Sequence, residues 1–145
     1  MPSEPVSWAE RALVIVLRVN AVIVLAALVP AVMPFAWMQA SHRGLGLGEL
    51  PESPVIGYLT RSCSLLYASN GVLLFYLSLD VRRHLGVIGC LGALGIAFGL
   101  ALLLVDWAVG MPPWWTAAEG PLIAVVGAVF VWLVTCAKGG EGRSG

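Results

Sequence analysis

Residues 86–121 read GVIGCLGALGIAFGLALLLVDWAVGMPPWWTAAEGP. The first twenty, 86–105, contain no charge and no proline. At about 1.5 Å per residue, such a run matches a hydrocarbon core of about 30 Å. It reads as one membrane-spanning helix. A tight turn follows with Trp107, Trp114, Trp115, Asp106 and Glu119, then the start of another helix. Gly92, Gly95 and Gly99 fall on one side of the first helix, with Gly95 and Gly99 as a GxxxG pair. Ala93, Ala97 and Ala101 form an adjacent small ridge. In lipid, small residues let two backbones approach closely. That favours packing inside this chain or a seam between copies. Ala124, Gly127 and Ala128 give the following helix a matching face.

The whole chain supports the membrane class. Of its 145 residues, 59% are hydrophobic and only 11% charged, and mean hydropathy is +0.92. Soluble domains carry about 25% charged residues. The formal net charge is zero, which leaves no basic face for nucleic acid. No boundary or repeat interrupts residues 1–145, so a single membrane domain is expected. The lipid bilayer is the implied surrounding, with a second copy or another membrane protein as the implied partner.

Four spans are expected at 8–33, 58–83, 86–108 and 117–138. Ser7-Trp8-Ala9-Glu10 fits a capping box that opens the first. Its apolar length exceeds a signal-peptide core, so it reads as a retained span. Pro30 and Pro34 crowd its outer end. Residues 35–53, with GLGLGEL and Pro51, read as a mobile outer loop. Ser53-Pro54 suits a helix start, and Arg82, Arg83 and His84 suit the last turn of that helix before a stop at Gly86. Thr116-Ala-Ala-Glu119 fits a second capping box, while Pro121 argues for a later start or a kink. The 139–145 tail, rich in glycine, is expected to be disordered. The fold class is therefore all-α, a four-helix up-down-up-down bundle. Arg11, Arg82, Arg83, Lys138 and Arg143 share one side, Arg43 and Arg61 the other. The positive-inside rule then places both termini in the cytoplasm of a cell with an inner membrane.

Polar residues at membrane depth are functional candidates. Arg18 either snorkels to the inner interface, pairs with Asp80, or serves a transport or binding role. Asn20, Asn70 and Tyr67 suit interhelical hydrogen bonds. Arg61, Asp106 and Glu119 end helices in one leaflet, so Arg61 is expected to contact one of the acids below Trp114 and Trp115. That cluster reads either as an ion pair or as a small-ligand or cation site. Cys63, Cys90 and Cys136 form no CxxC, and His42 and His84 fall on opposite sides. Neither a metal site nor a cofactor is indicated, and no hydrolase, zinc-protease or P-loop motif occurs. Small multidrug transporters carry a glutamate in helix 1 where this chain has Arg18.

Arg61, DVRRH at 80–84 and DWAVGMPPWWTAAEGP at 106–121 together resemble uncharacterised small bacterial four-helix integral membrane proteins. The resemblance implies the bundle and no activity. Similarity to DoxX-like proteins is one of size and span count. The function expected is non-enzymatic, a helix-packing or accessory subunit. The alternative is a small oligomeric transporter, channel or ligand-binding protein using Arg18 or the outer cluster.

Overall fold

A computed structural model describes residues 7–141 of the chain. Among them 85% are helical and none is in a strand, so the fold is all-α. The helices are α1 (Trp8–Leu25), α2 (Leu28–Val32), α3 (Phe35–Gly44), α4 (Pro54–Leu77), α5 (Val81–Val109) and α6 (Pro113–Glu141). Three segments are long and apolar enough to cross a membrane: Trp8–Val32, Val81–Val109 and Pro113–Gly139. Helix α4 is long enough but not among them, because Thr60, Arg61, Ser62, Ser64, Ser69 and Asn70 dilute its apolar content. Large apolar side chains such as Val22, Ile23, Leu104 and Trp107 lie exposed, the surface that a bilayer solvates.

Contacts divide the chain, expected as one domain, into two compact units: Met1–Val16 with Leu77–Gly145, and Leu17–Tyr76. In the first unit the opening capping box forms as expected. The Ser7 amide donates to Glu10 Oε2 at 2.6 Å, and the Glu10 amide donates to Ser7 Oγ at 3.2 Å. Helix α5 begins earlier than expected. Asp80 is its N-cap, and Asp80 Oδ1 accepts from the Arg83 amide at 3.2 Å. A carboxylate at that position satisfies an orphan amide and suits the positive end of the helix dipole. Arg82, Arg83 and His84 therefore open α5 instead of closing α4, and Gly86 lies inside α5.

At its other end α5 closes in a Schellman motif. Gly110 adopts φ 73°, its amide reaches the Trp107 carbonyl at 3.3 Å, and the Met111 amide reaches the Asp106 carbonyl at 2.9 Å. Helix α6 then starts at Pro113, four residues before the expected boundary, because proline at the first helical position lacks only an amide that would be unpaired there. The predicted second capping box does not form. Thr116 Oγ1 bonds back to the Pro112 carbonyl at 3.4 Å, and Glu119 accepts instead from Trp115 Nε1. The helix runs on through Pro121 and through Gly139 to Glu141, so the tail expected from 139 is helical there; 142–145 lie outside the described residues.

Helices α5 and α6 pack antiparallel along a heptad seam. Leu85, Gly92, Gly99 and Asp106 follow at sevens on α5 and are all buried. On α6, Gly127 stands opposite Gly92 and Gly120 opposite Gly99. A Cβ placed at Gly92 would lie 2.8 Å from the Gly127 carbonyl oxygen, and one at Gly120 would lie 2.5 Å from that of Gly99. No side chain fits at these crossings. Away from the seam the core is filled by Leu13, Leu77, Ile88 and Leu133.

The second unit holds the rest of α1 with α2, α3 and α4. Pro30 explains the break between α1 and α2. It has no N–H to offer the Ala26 carbonyl, which accepts from the Val29 amide at 3.0 Å instead. The expected mobile loop 35–53 is helical over its first half. Phe35–Gly44 carries good helix formers, Ala36, Met38, Gln39 and Ala40, and ends in His42 and Arg43, which suit the negative end of the dipole. Gly46 and Gly48 take φ 72° and 84°, turning the chain back on α3. Arg43 then pairs with Glu49 at 3.0 Å, and His42 Nδ1 lies 3.1 Å from the Gly48 carbonyl oxygen. Helix α4 starts at Pro54 as expected and meets α1 at Gly71, whose Cβ would come within 3.1 Å of the Ala21 carbonyl oxygen.

Candidate functional site

The residues singled out from the sequence fall into separate places. Arg61 lies in the second unit, on the second turn of α4. Nη1 donates to the Gly57 carbonyl and Nη2 to the Met33 carbonyl, both at 3.4 Å. The Gly57 bond spans one helical turn, and the Met33 bond ties α4 to the end of α2. Where Asp106 or Glu119 was expected as partner, both hydrogen bonds go to carbonyls of its own unit. A cavity of about 370 Å³ opens beside it. Its walls are Phe35 from α3, Glu52 and Ser53 from the loop, and Pro54, Tyr58 and Arg61 from α4. The cavity exists because Ser53-Pro54 starts α4 beside the beginning of α3. Glu52 is exposed, and among the described residues Arg61 and Glu52 line this space without forming an ion pair.

In the first unit the turn between α5 and α6 carries Asp106, Trp114, Trp115 and Glu119. Trp114 and Trp115 meet edge to face at 5.4 Å between ring centroids. Trp115 Nε1 donates to the Glu119 carboxylate one turn on. Asp106 is 5% exposed, and its Oδ2 makes no hydrogen bond among the described residues. Its burial follows from the seam: it stands one heptad beyond Gly99, on the side of α5 that faces α6. Asp106 and Glu119 thus share the turn but have different surroundings: Asp106 Oδ2 has no hydrogen bond among the described residues, while Glu119 accepts from Trp115.

No known protein family matches the chain, and neither does any curated protein or solved structure.

The remaining polar candidates are dispersed. Asp80 caps α5, and Arg18 lies exposed on α1. Asn20 is half-buried, while Asn70 and Tyr67 lie exposed. Neither asparagine makes a side-chain hydrogen bond among the described residues. Of the packing residues, Gly92, Gly99 and Gly127 form the tight crossings. A Cβ at Gly95 would meet Gly127 Cα at an ordinary contact distance of 3.4 Å, and Ala124 lies against Gly99. Ala128 is exposed. Gly120 is a seam residue that sequence reasoning missed. Its signal was the seven-residue spacing to Gly127, which the GxxxG reading of α5 hid.

Sequence reasoning also missed an ion pair with a buried carboxylate. Arg82 grips Glu10 with both arms, Nε to Oε1 and Nη2 to Oε2 at 3.1 Å. The Glu10 side chain is 5% exposed and that of Arg82 is 42% exposed. A bidentate guanidinium–carboxylate pair is a strong, directional contact, and this one ties the start of α1 to the start of α5. At the same end Trp8 packs on Trp132 of α6 with centroids 5.9 Å apart. Glu10 is the lone acid in the first span and Arg82 is at the same expected depth, which was the available signal. The three cysteines are free thiols, and no group of three His, Cys, Asp or Glu able to hold a metal occurs among the described residues.

Proposed function

We propose that this chain is a four-span membrane protein with both termini cytoplasmic, and that it works through helix contacts in the bilayer rather than by chemistry of its own. The observation that carries this reading is the α5–α6 seam, in which Gly92 meets Gly127 and Gly99 meets Gly120 too closely for any side chain. A seam with no room for a methyl group makes a rigid hairpin, and a rigid hairpin suits a packing or accessory subunit. Its outward ridge, Ala93, Ala97 and Ala101, is exposed and offers another helix a smooth surface of the kind that associates in lipid. The partner is a second copy or another membrane protein.

Helix α4 has 24 residues, enough for a hydrocarbon core, and its polar residues suit a span that packs among other helices. Counting it brings Arg82, Arg83 and Lys138 to the cytoplasmic side of the bacterial inner membrane. Purification of the full chain in mild detergent tests the functional reading. A stoichiometric second copy or partner protein that is lost on Ala97→Trp supports it. A monodisperse monomer with no partner, from cells expressing it at native level, contradicts it.

A second reading is a ligand-binding membrane protein, favoured by the open cavity beside Arg61.

A further inference from the structure

The geometry points to the Arg61 cavity as a site for a zwitterionic phosphoethanolamine group, a phosphate ester carrying a primary ammonium. This deepens the second reading above, and it rests on α4 being a span, which puts Arg61 at headgroup depth.

The cation comes first. A guanidinium has five N–H donors, and Arg61 commits only two, in long 3.4 Å bonds to neutral carbonyls. Its charge has no acidic partner among the described residues, and it borders a cavity of about 370 Å³. Spare donors in a planar fork match the oxygens of a phosphate. The first turn of α4 lines the same space through Pro54. Its amides at 55 and 56 precede the first intrahelical bond, from the Gly57 amide to the Ser53 carbonyl at 3.0 Å. The positive end of a 24-residue helix thus lies next to the cavity that Arg61 borders.

The acid narrows the ligand. Glu52 borders the same cavity but does not pair with Arg61. Arg43 shows that a neighbouring arginine does pair with a loop acid here, at 3.0 Å from Glu49. An acid and a base that line one space without closing on each other complement a ligand with the opposite order of charges. Phosphate on Arg61 and ammonium on Glu52 satisfies both. Phe35 and Tyr58 supply aromatic walls, and an aromatic face attracts an ammonium. A plain anionic headgroup would leave Glu52 facing a like charge. The volume lies at the small end of the range for ligand pockets, about 300–1,000 Å³.

The test uses the full chain in detergent, with bound lipid read by native mass spectrometry. The probes are short-chain phosphatidylethanolamine, phosphatidylglycerol and soluble O-phosphoethanolamine. The ethanolamine lipid should bind about tenfold more tightly than the glycerol lipid, the order of one additional charged contact. Glu52→Gln should abolish that preference without weakening the glycerol lipid. Arg61→Lys, which keeps the charge but loses the fork, should weaken both. Displacement by soluble O-phosphoethanolamine at micromolar concentration assigns the site to a solute, and its failure to displace assigns the site to the bilayer lipid. Equal binding of the two lipids by the native chain, or a preference that survives Glu52→Gln, overturns the inference. A reporter at residue 48 separates this failure from that of the span reading: if it shares the side of the C-terminus, α4 is not a span.

Discussion

Replacing Gly99 by alanine tests the seam against a control one turn away. An alanine Cβ at Gly99 would sit 2.5 Å from the Gly120 carbonyl oxygen and 2.6 Å from the Ala124 amide nitrogen. Both neighbours are backbone, so neither can rotate away. Reaching ordinary contact requires α6 to withdraw by roughly 1 Å over that stretch. Overpacking of this kind costs about 1–3 kcal/mol. Helix propensity acts the other way, since Gly→Ala in a helix interior gains about 1 kcal/mol. At Gly95 only the propensity remains, because the Cβ would meet Gly127 Cα at 3.4 Å, an ordinary contact. Gly95→Ala should therefore hold or raise stability while Gly99→Ala lowers it, with about 1–3 kcal/mol between them. Equilibrium unfolding of both variants in mixed micelles, followed by helical circular dichroism, gives the comparison. Equal midpoints would refute the seam, as would a larger loss at Gly95.

Other substitutions probe the remaining contacts. Arg82→Ala strands the buried Glu10 carboxylate, and with Arg82 itself partly exposed the loss should be about 1–3 kcal/mol; Glu10→Gln in the same background should recover part of it in a double-mutant cycle, and a neutral Arg82→Ala would contradict the pair. Asp106→Asn is close in shape and replaces a buried carboxyl whose Oδ2 has no hydrogen bond among the described residues, so the unfolding free energy should stay or rise by about 1 kcal/mol; a clear loss would mean that the carboxyl has a partner. Gly110→Ala puts a Cβ on a residue at φ 73° with open space around it, so it should cost about 1–2 kcal/mol from backbone alone, read from the same unfolding curves.

Much of this fold was legible because local chemistry dictated it. The Ser7–Glu10 box and the opening of α4 at Pro54 each depend on a few adjacent residues. The three most apolar helices announced themselves by composition. The turn before α5 was less legible, because Asp80 serves equally well at the end of one helix or the cap of the next, and its hydrogen bond to Arg83 decides. Helix α3 was hidden by the glycines that follow it. The seam was seen only in part. GxxxG spacing picks out Gly95 and Gly99, whereas an antiparallel partner selects positions seven apart, Gly92 and Gly99, and makes Asp106 the next in line. The candidate site was legible in its residues and not in its groupings. Arg61, Asp106 and Glu119 look alike in their expected depth, yet Arg61 bonds within its own unit and Glu119 is taken by Trp115. Such choices rest on side-chain geometry that spacing along the chain does not encode.

Whether α4 crosses the membrane decides between four spans and the three that composition alone marks. Paired reporter fusions, one after Lys138 and one at residue 48, measure this directly. With α4 as a span, the two reporters fall on opposite sides, the Lys138 fusion in the cytoplasm. Both reporters on the same side would mean that only α1, α5 and α6 cross, and the four-span account would fail.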